Sequence, residues 1–388
     1  FVSLSNYARG NKKLAALVRE EAPVWNSLYM FERSKQLRNE LKINYRPSSR
    51  LDVVTGLEVR NSSLQGAYYT SFTDTPQDSA VILPSPKGGN EFNVWDLGIY
   101  SQGTWLLYKT LRMTLGLRYD YNKVRKSDGF GSEFSPRAAL VWSPGRSTFK
   151  AIYSRGIMNV SNWTKYSSAG NRIPNPSLKT ENIQNIEFSA AWRFSSKLQA
   201  DLAFYQNYID NVVGTVNVPD NPGKIQNANI GQFDIRGIQA NATYKTGTFS
   251  SWINYTYSHP RQTYSEAGEV DNRVGDIAAH QFNAGVNKLF FNQLNVNLRL
   301  NYSGESPVGE GTTVPLNNDH FPAVTILNSA VNYSNPELLK GFALQLVCNN
   351  IFNTVYYHPG TKAAEGINSP TAILQRGRHF LVSLSYDF

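Results

Sequence analysis

From Leu294 to Tyr302 the chain reads LNVNLRLNY. In an extended strand, successive side chains point to opposite faces, so Leu294, Val296, Leu298, Leu300 and Tyr302 share one side. Asn295, Asn297, Arg299 and Asn301 share the other. The period recurs at 111–120, where Leu111, Met113, Leu115, Leu117 and Tyr119 oppose Arg112, Thr114, Gly116, Arg118 and Asp120. It recurs again at 37–45, with Asn39 the one polar residue on the apolar side. About sixteen such segments run near 1–9, 34–46, 50–64, 92–106, 109–124, 132–144, 147–155, 182–194, 198–215, 230–246, 248–260, 279–290, 292–304, 323–335, 341–352 and 376–388. Most exceed the usual length of a globular strand and match the length needed to cross a bilayer at a tilt.

Alternation with one oily and one polar face fits a soluble sandwich as well as a membrane barrel. The connections separate the two. Links such as Pro47-Ser48-Ser49, Tyr108, Ser195-Ser196-Lys197 and Gly247 are tight. The alternate links, near 10–33, 65–91, 156–181, 216–229, 261–278, 305–322 and 353–375, are long, with 125–131 the short exception. Short turns on one rim and long loops on the other mark an outer-membrane barrel, all-β, transmembrane, antiparallel and up-and-down. Tyr45, Trp105, Trp142, Trp192, Tyr244, Tyr302 and Tyr333 lie near strand ends, where aromatic girdles meet the membrane interfaces. Lipid offers no hydrogen bonds, so such a sheet is expected to close on itself.

Composition narrows the function. No stretch approaches 18 consecutive apolar residues, which excludes a helical membrane protein. One cysteine, Cys348, allows no internal disulfide. The net charge of +9 comes from scattered residues without a basic run, which argues against nucleic acid and leaves anionic headgroups or ligands open. The five histidines show no metal-ligand spacing, and no phosphate-cradling glycine loop or nucleophile elbow is present. No enzyme, cofactor or metal is expected. Gly309-Glu310-Gly311 reads as a turn, and KKLAALVREE, with Lys12, Lys13 and Arg19, as a short solvated helical element.

The final strand, with Leu384, Tyr386 and a terminal Phe388, resembles the signal by which the assembly machinery recognises bacterial outer-membrane barrels. Three further stretches narrow the resemblance to TonB-dependent outer-membrane receptors. Asn175-Pro176-Ser177-Leu178-Lys179-Thr180-Glu181 resembles their N-P-x-L-K-x-E motif. Val347-Cys348-Asn349-Asn350-Ile351-Phe352-Asn353, followed by Tyr356-Tyr357, resembles their N-L-F-(N/D)-x-x-Y segment, and Gly377-Arg378-His379-Phe380 the start of their last strand. The motifs span about residues 147–388, and the earlier strands agree in style.

The resemblance implies an active importer of the outer membrane. Such receptors bind a scarce ligand at extracellular loops, a ferric siderophore being the default, and import it when the TonB complex pulls on a plug that fills the lumen. The family's barrel has 22 strands. No plug is visible in residues 1–388, so the whole chain is expected to be barrel domain, with the plug and about six strands lying ahead of Phe1. Expected partners are the lipid bilayer, lipopolysaccharide, the assembly machinery, TonB through the plug, and a small ligand.

In this architecture function lies in loops and inward side chains. Trp163, Tyr166 and Arg172 are candidate ligand contacts, through stacking and charge pairing; packing of the loop is the competing role. Arg118, Asp120, Glu187 and Arg193 are expected to line the lumen. Two rivals stay open: a passive porin, for which 65–91 is the plausible constriction loop, and a barrel adhesin that binds a protein partner.

Overall fold

A computed structural model describes residues 27–70, 81–82, 91–124, 127–161, 164–165, 172–265, 268–309, 319–334, 341–359 and 372–386. Outside these lie the expected strand at 1–9, the KKLAALVREE element, most of the 65–91 loop, Glu310-Gly311, Trp163, Tyr166 and Phe388.

Among the described residues, fifteen long strands run in chain order: β1 (Ser27–Ser48), β2 (Leu51–Thr70), β3 (Glu91–Tyr108), β4 (Leu111–Val124), β5 (Ser127–Trp142), β6 (Ser147–Met158), β7 (Glu181–Arg193), β8 (Leu198–Asn217), β9 (Ile225–Lys245), β10 (Phe249–Ser265), β11 (His280–Phe290), β12 (Leu294–Ser303), β13 (Val324–Ser334), β14 (Phe342–Asn349) and β15 (His379–Tyr386). Each pairs antiparallel with the next, an up-and-down meander. Among the described residues β1 and β15 are not hydrogen-bonded to each other, so the wall is an open sheet there.

Register keeps the two faces distinct through the body of the sheet, with its shifts near strand ends. Asn254 faces Asn283 across β10 and β11, and Asn283 faces Asn301 across β11 and β12. The apolar face is exposed, with Phe188 at 58%, Trp192 at 49% and Leu384 at 68%. In water so much exposed apolar area would drive aggregation; beside acyl chains it is the solvated face. Near the tight turns, Trp142 stacks on Phe149 at 5.4 Å, Tyr244 meets Phe249 at 6.1 Å and Phe342 meets Tyr386 at 4.9 Å, giving an aromatic rim. The turns use local chemistry: Gly145 and the pair Phe291-Asn292 adopt positive φ, and Arg46 pairs with Asp52 across the β1–β2 turn.

On the inward face, glycines sit beside large side chains. Tyr100 occupies the space where a Cβ on Gly56 would stand, Arg118 does so at Gly98, Tyr205 at Gly237 and Trp252 at Gly285. Each large residue comes from the neighbouring strand, so absent side chains on one strand seat bulky ones from the next.

Candidate ligand site

The chain between β6 and β7 is clasped onto the loop ends of β8 and β9. Asn175 Oδ1 accepts from the Ser177 N–H at 3.2 Å and its hydroxyl at 2.6 Å, a side-chain turn that shapes the Asn-Pro-Ser corner. Its Nδ2 donates to the Asn227 carbonyl at 2.8 Å, and its own N–H to the Lys165 carbonyl at 2.9 Å. Leu178 is buried beneath the corner. The Lys179 backbone is bracketed by Asn229, which accepts its N–H at 3.0 Å and donates to its carbonyl at 3.2 Å. Glu181 Oε1 accepts the Val213 N–H at 2.6 Å, at the irregularity in β8 where Asn211 has positive φ. Pro176 follows Asn175 within the turn. The Asn-Pro-x-Leu-Lys-x-Glu residues thus satisfy backbone groups that a strand bulge and a loop corner leave over.

Arg172 belongs to this clasp. Arg172–Ile173 pair with Ile225–Gln226, and Arg172 Nη1 donates to Asn227 Oδ1 at 2.8 Å. Asn227, itself buried, also accepts from the Thr215 hydroxyl at 3.1 Å and donates to the Thr164 carbonyl at 2.7 Å.

On the inward face of β1 to β4 the charges pair with one another. Arg118 binds Asp120 at 2.7 Å and Glu58 at 3.6 Å, Arg38 binds Glu58 at 2.9 Å, and Arg60 binds Asp96 at 2.8 Å. Asn122 adds a bond to Asp96 at 2.6 Å. Glu187 and Arg193 also point inward, on β7, three strands away from β4 and separate from this network. Paired charges of this kind fix the wall and leave little net field for a ligand.

A cleft of about 700 Å³ lies elsewhere, at the loop end of β11 to β15. Its lining includes the amides of Asn283, Asn301, Asn328 and Asn350, together with Tyr356, Tyr357, His358, Arg376 and apolar residues such as Phe321 and Ile326. Two short clips frame it, Ser306–Pro307 with His320–Phe321 and Tyr357–His358 with Ile373–Leu374. Buried Asn350 closes the turn after β14: its Oδ1 accepts the Thr354 N–H at 2.9 Å and its Nδ2 donates to the Thr354 carbonyl at 2.8 Å. Asn353 Oδ1 then accepts the Arg378 N–H at 2.8 Å, tying that turn to the start of β15. At one clip, Nδ1 of His320 sits 2.7 Å from Asp319 Oδ1. That hydrogen bond, with the nearby Glu305 charge, raises the His320 pKa, and the same bond lowers that of Asp319.

Sequence reasoning looked for the site in the 156–181 loop and missed this cleft. Its residues lie far apart in the chain and meet only through strand register. Inward asparagines at matching heights on consecutive strands were the available signal. Among the described residues no group of three or more His, Cys, Asp or Glu side chains is arranged to hold a metal.

The family profile described as "TonB dependent receptor-like, beta-barrel" matches residues 5–351. The chain belongs to the TonB-dependent receptor family. As a member it lies in the outer membrane, and the family is of receptor and transporter type. It is 28% identical over 258 residues to the "Iron-regulated outer membrane virulence protein" of Vibrio cholerae serotype O1, an alignment covering 61% of this chain and 38% of that one. Among solved structures it resembles the FrpB iron transporter of Neisseria meningitidis, with TM-score 0.66, 17% identity, and coverage of 92% of this chain and 56% of that one. It also resembles the copper transporter OprC, with TM-score 0.68, 14% identity, and coverage of 92% and 58%. The receptor chain thus spans well under two thirds of the length of these relatives, and the structural likenesses establish the fold.

Proposed function

We propose that this barrel is the wall of an active importer that captures a scarce ligand at its loop end, a ferric siderophore in the first instance, and passes it inward with energy from TonB. The carrying observation is the cleft at the loop end of β11 to β15, with several amides in its lining, set in a wall whose family is receptor and transporter type. Iron in the names of the Vibrio and Neisseria relatives supports an iron chelate; the copper transporter is a reminder that one wall can serve different cargo. The energy would reach the ligand through a plug domain in the lumen, with lipid and lipopolysaccharide around the apolar face. Arg172 contributes by holding the loop beside β9, and with Trp163 and Tyr166 it stands as a candidate ligand contact.

The test is uptake of a labelled iron chelate by iron-starved cells with and without the gene, repeated after dissipating the inner-membrane proton gradient. Uptake that requires both gene and gradient is expected. Uptake that survives loss of the gradient, together with a large steady single-channel conductance of the whole gene product, would replace the importer with a passive pore.

A further inference from the structure

Across the inward face, one line of carboxamides crosses four strands, and the importer role does not by itself call for it. Asn283 Nδ2 donates to Asn254 Oδ1 at 3.0 Å, Asn301 Nδ2 to Asn283 Oδ1 at 2.6 Å, and Asn328 Nδ2 to Asn301 Oδ1 at 3.4 Å. The line ends where the Asn350 backbone N–H donates to Asn328 Oδ1 at 2.9 Å. That last bond sets the direction of all the others. A backbone N–H can only donate, so the Asn328 atom it meets is oxygen, and the nitrogen of the same group must face Asn301. The same reasoning passes along to Asn254.

A second fixed point lies one strand on. His379 Nδ1 is 3.0 Å from the Gly377 carbonyl, which can only accept, so Nδ1 carries the proton. In the neutral ring Nε2, 3.1 Å from Asn349 Nδ2, is then the acceptor, and Asn349 is another donor.

The consequence is chemical polarity without charge. In Asn283, Asn301 and Asn328 the oxygen already accepts a neighbour's N–H, one N–H is given along the line, and a second N–H is left for the cleft that all three line. Among its described lining residues the cleft has one carboxylate, Asp276, engaged by the Gly309 N–H at 2.8 Å, and one guanidinium, Arg376. A trianionic chelate brought into such a place would surrender hydration without a cluster of cations to replace it.

We propose that the Asn254–Asn283–Asn301–Asn328 line is a donor wall that selects an uncharged, oxygen-rich ligand, whose carbonyl, hydroxamate or hydroxyl oxygens accept the remaining N–H groups. This rests on the importer reading and names its ligand class. Neutral ferric trihydroxamates and neutral oligosaccharides share the chemistry.

The experiment measures binding of three probes to the whole receptor in outer-membrane vesicles: a neutral ferric trihydroxamate, a trianionic ferric tricatecholate and a neutral linear oligosaccharide. One uncharged probe is expected to bind at least about tenfold more tightly than the tricatecholate, and Asn328→Asp to weaken it by about tenfold or more, because a carboxylate keeps the bond from Asn350 but can donate none. Asn301→Asp repeats the test in mid-line should the first variant not fold, which heat-modifiable migration on gels reports. Binding of the trihydroxamate supports wall and iron importer together. Binding of the oligosaccharide alone supports the wall and overturns the iron chelate. A tricatecholate that binds as well as or better than both, and is indifferent to the variants, overturns the wall and leaves the importer standing. If none of the three binds, both fall.

Discussion

Replacing Asn227 with Ala should loosen the clasp over β9 without unfolding the barrel. The side chain is buried and makes three bonds: from Arg172 Nη1 at 2.8 Å, from the Thr215 hydroxyl at 3.1 Å, and to the Thr164 carbonyl at 2.7 Å. Counting about 1 kcal/mol for each neutral bond and about 2 kcal/mol for the one to the guanidinium gives a loss of about 4 kcal/mol. On the scale of local opening this is roughly a thousandfold. The effect should be graded along the loop. Asn227 keeps its carbonyl bond from Asn175, and the Asn229 bracket on Lys179 and the Glu181 bond to Val213 are untouched. Hydrogen exchange read by mass spectrometry on the detergent-solubilised receptor should therefore show faster exchange over 172–177, a smaller change over 179–183, and none in β7 beyond Gln184. Unchanged exchange over 172–177 would refute the assignment of the clasp to Asn227. Equal acceleration of loop and strand would show that the loop and barrel open as one unit, and that the local accounting is wrong.

Gly231 has φ 150° at a register irregularity between β8 and β9, and a Cβ there would land on the Tyr264 carbonyl, so Gly231→Ala should cost about 3 kcal/mol, read as a lowered urea midpoint by tryptophan fluorescence in vesicles. Phe188, outward on β7 and 58% exposed, tests the lipid face: Phe188→Arg should cost about 2–4 kcal/mol in bilayers and Ser189→Arg, one residue on and inward, under about 1 kcal/mol. Equal costs would mean that the faces are misassigned. The His320–Asp319 pair predicts a pH window for its clip. The raised His320 pKa means the pair's contribution is full below the ordinary value of 6.5 and fades as pH rises through the raised one, while the lowered Asp319 pKa keeps it present above 3.8 and removes it as pH falls through the lowered one. Exchange at 306–309 and 319–321 should follow that window, and His320→Ala should flatten it.

The wall itself was legible because lipid and lumen impose opposite demands on alternate residues. Each of the fifteen long strands was marked by its apolar alternation, from Leu37, Leu41 and Ile43 in β1 to Phe380, Val382 and Leu384 in β15. Strand ends were less legible. The expected 230–246 begins at Ile225, and the expected 132–144 begins at Ser127, because above the membrane a hairpin continues on backbone bonds alone and no longer needs an oily face. Gly268–Arg273, paired with β10, was hidden in an expected loop for the same reason. Asn175 to Glu181 stood out as a motif, yet nothing local shows that Glu181 meets a bulge in β8 or that Asn229 brackets Lys179. Partners that register brings from about 30 to 50 residues away leave no trace in a local pattern. The cleft was lost in the same way, its amides looking like ordinary polar positions of three separate strands and a turn.

The inward glycines bear on the width of the bore. Gly56, Gly98, Gly237 and Gly285 each seat a bulky neighbour, Tyr100, Arg118, Tyr205 and Trp252 in turn. A methyl at any of them would evict a ring or a guanidinium from its seat, and its direction of escape is into the bore. The width of the passage is thus set as much by atoms these positions lack as by the residues that line it. Widening or narrowing the bore would then take single substitutions at glycines.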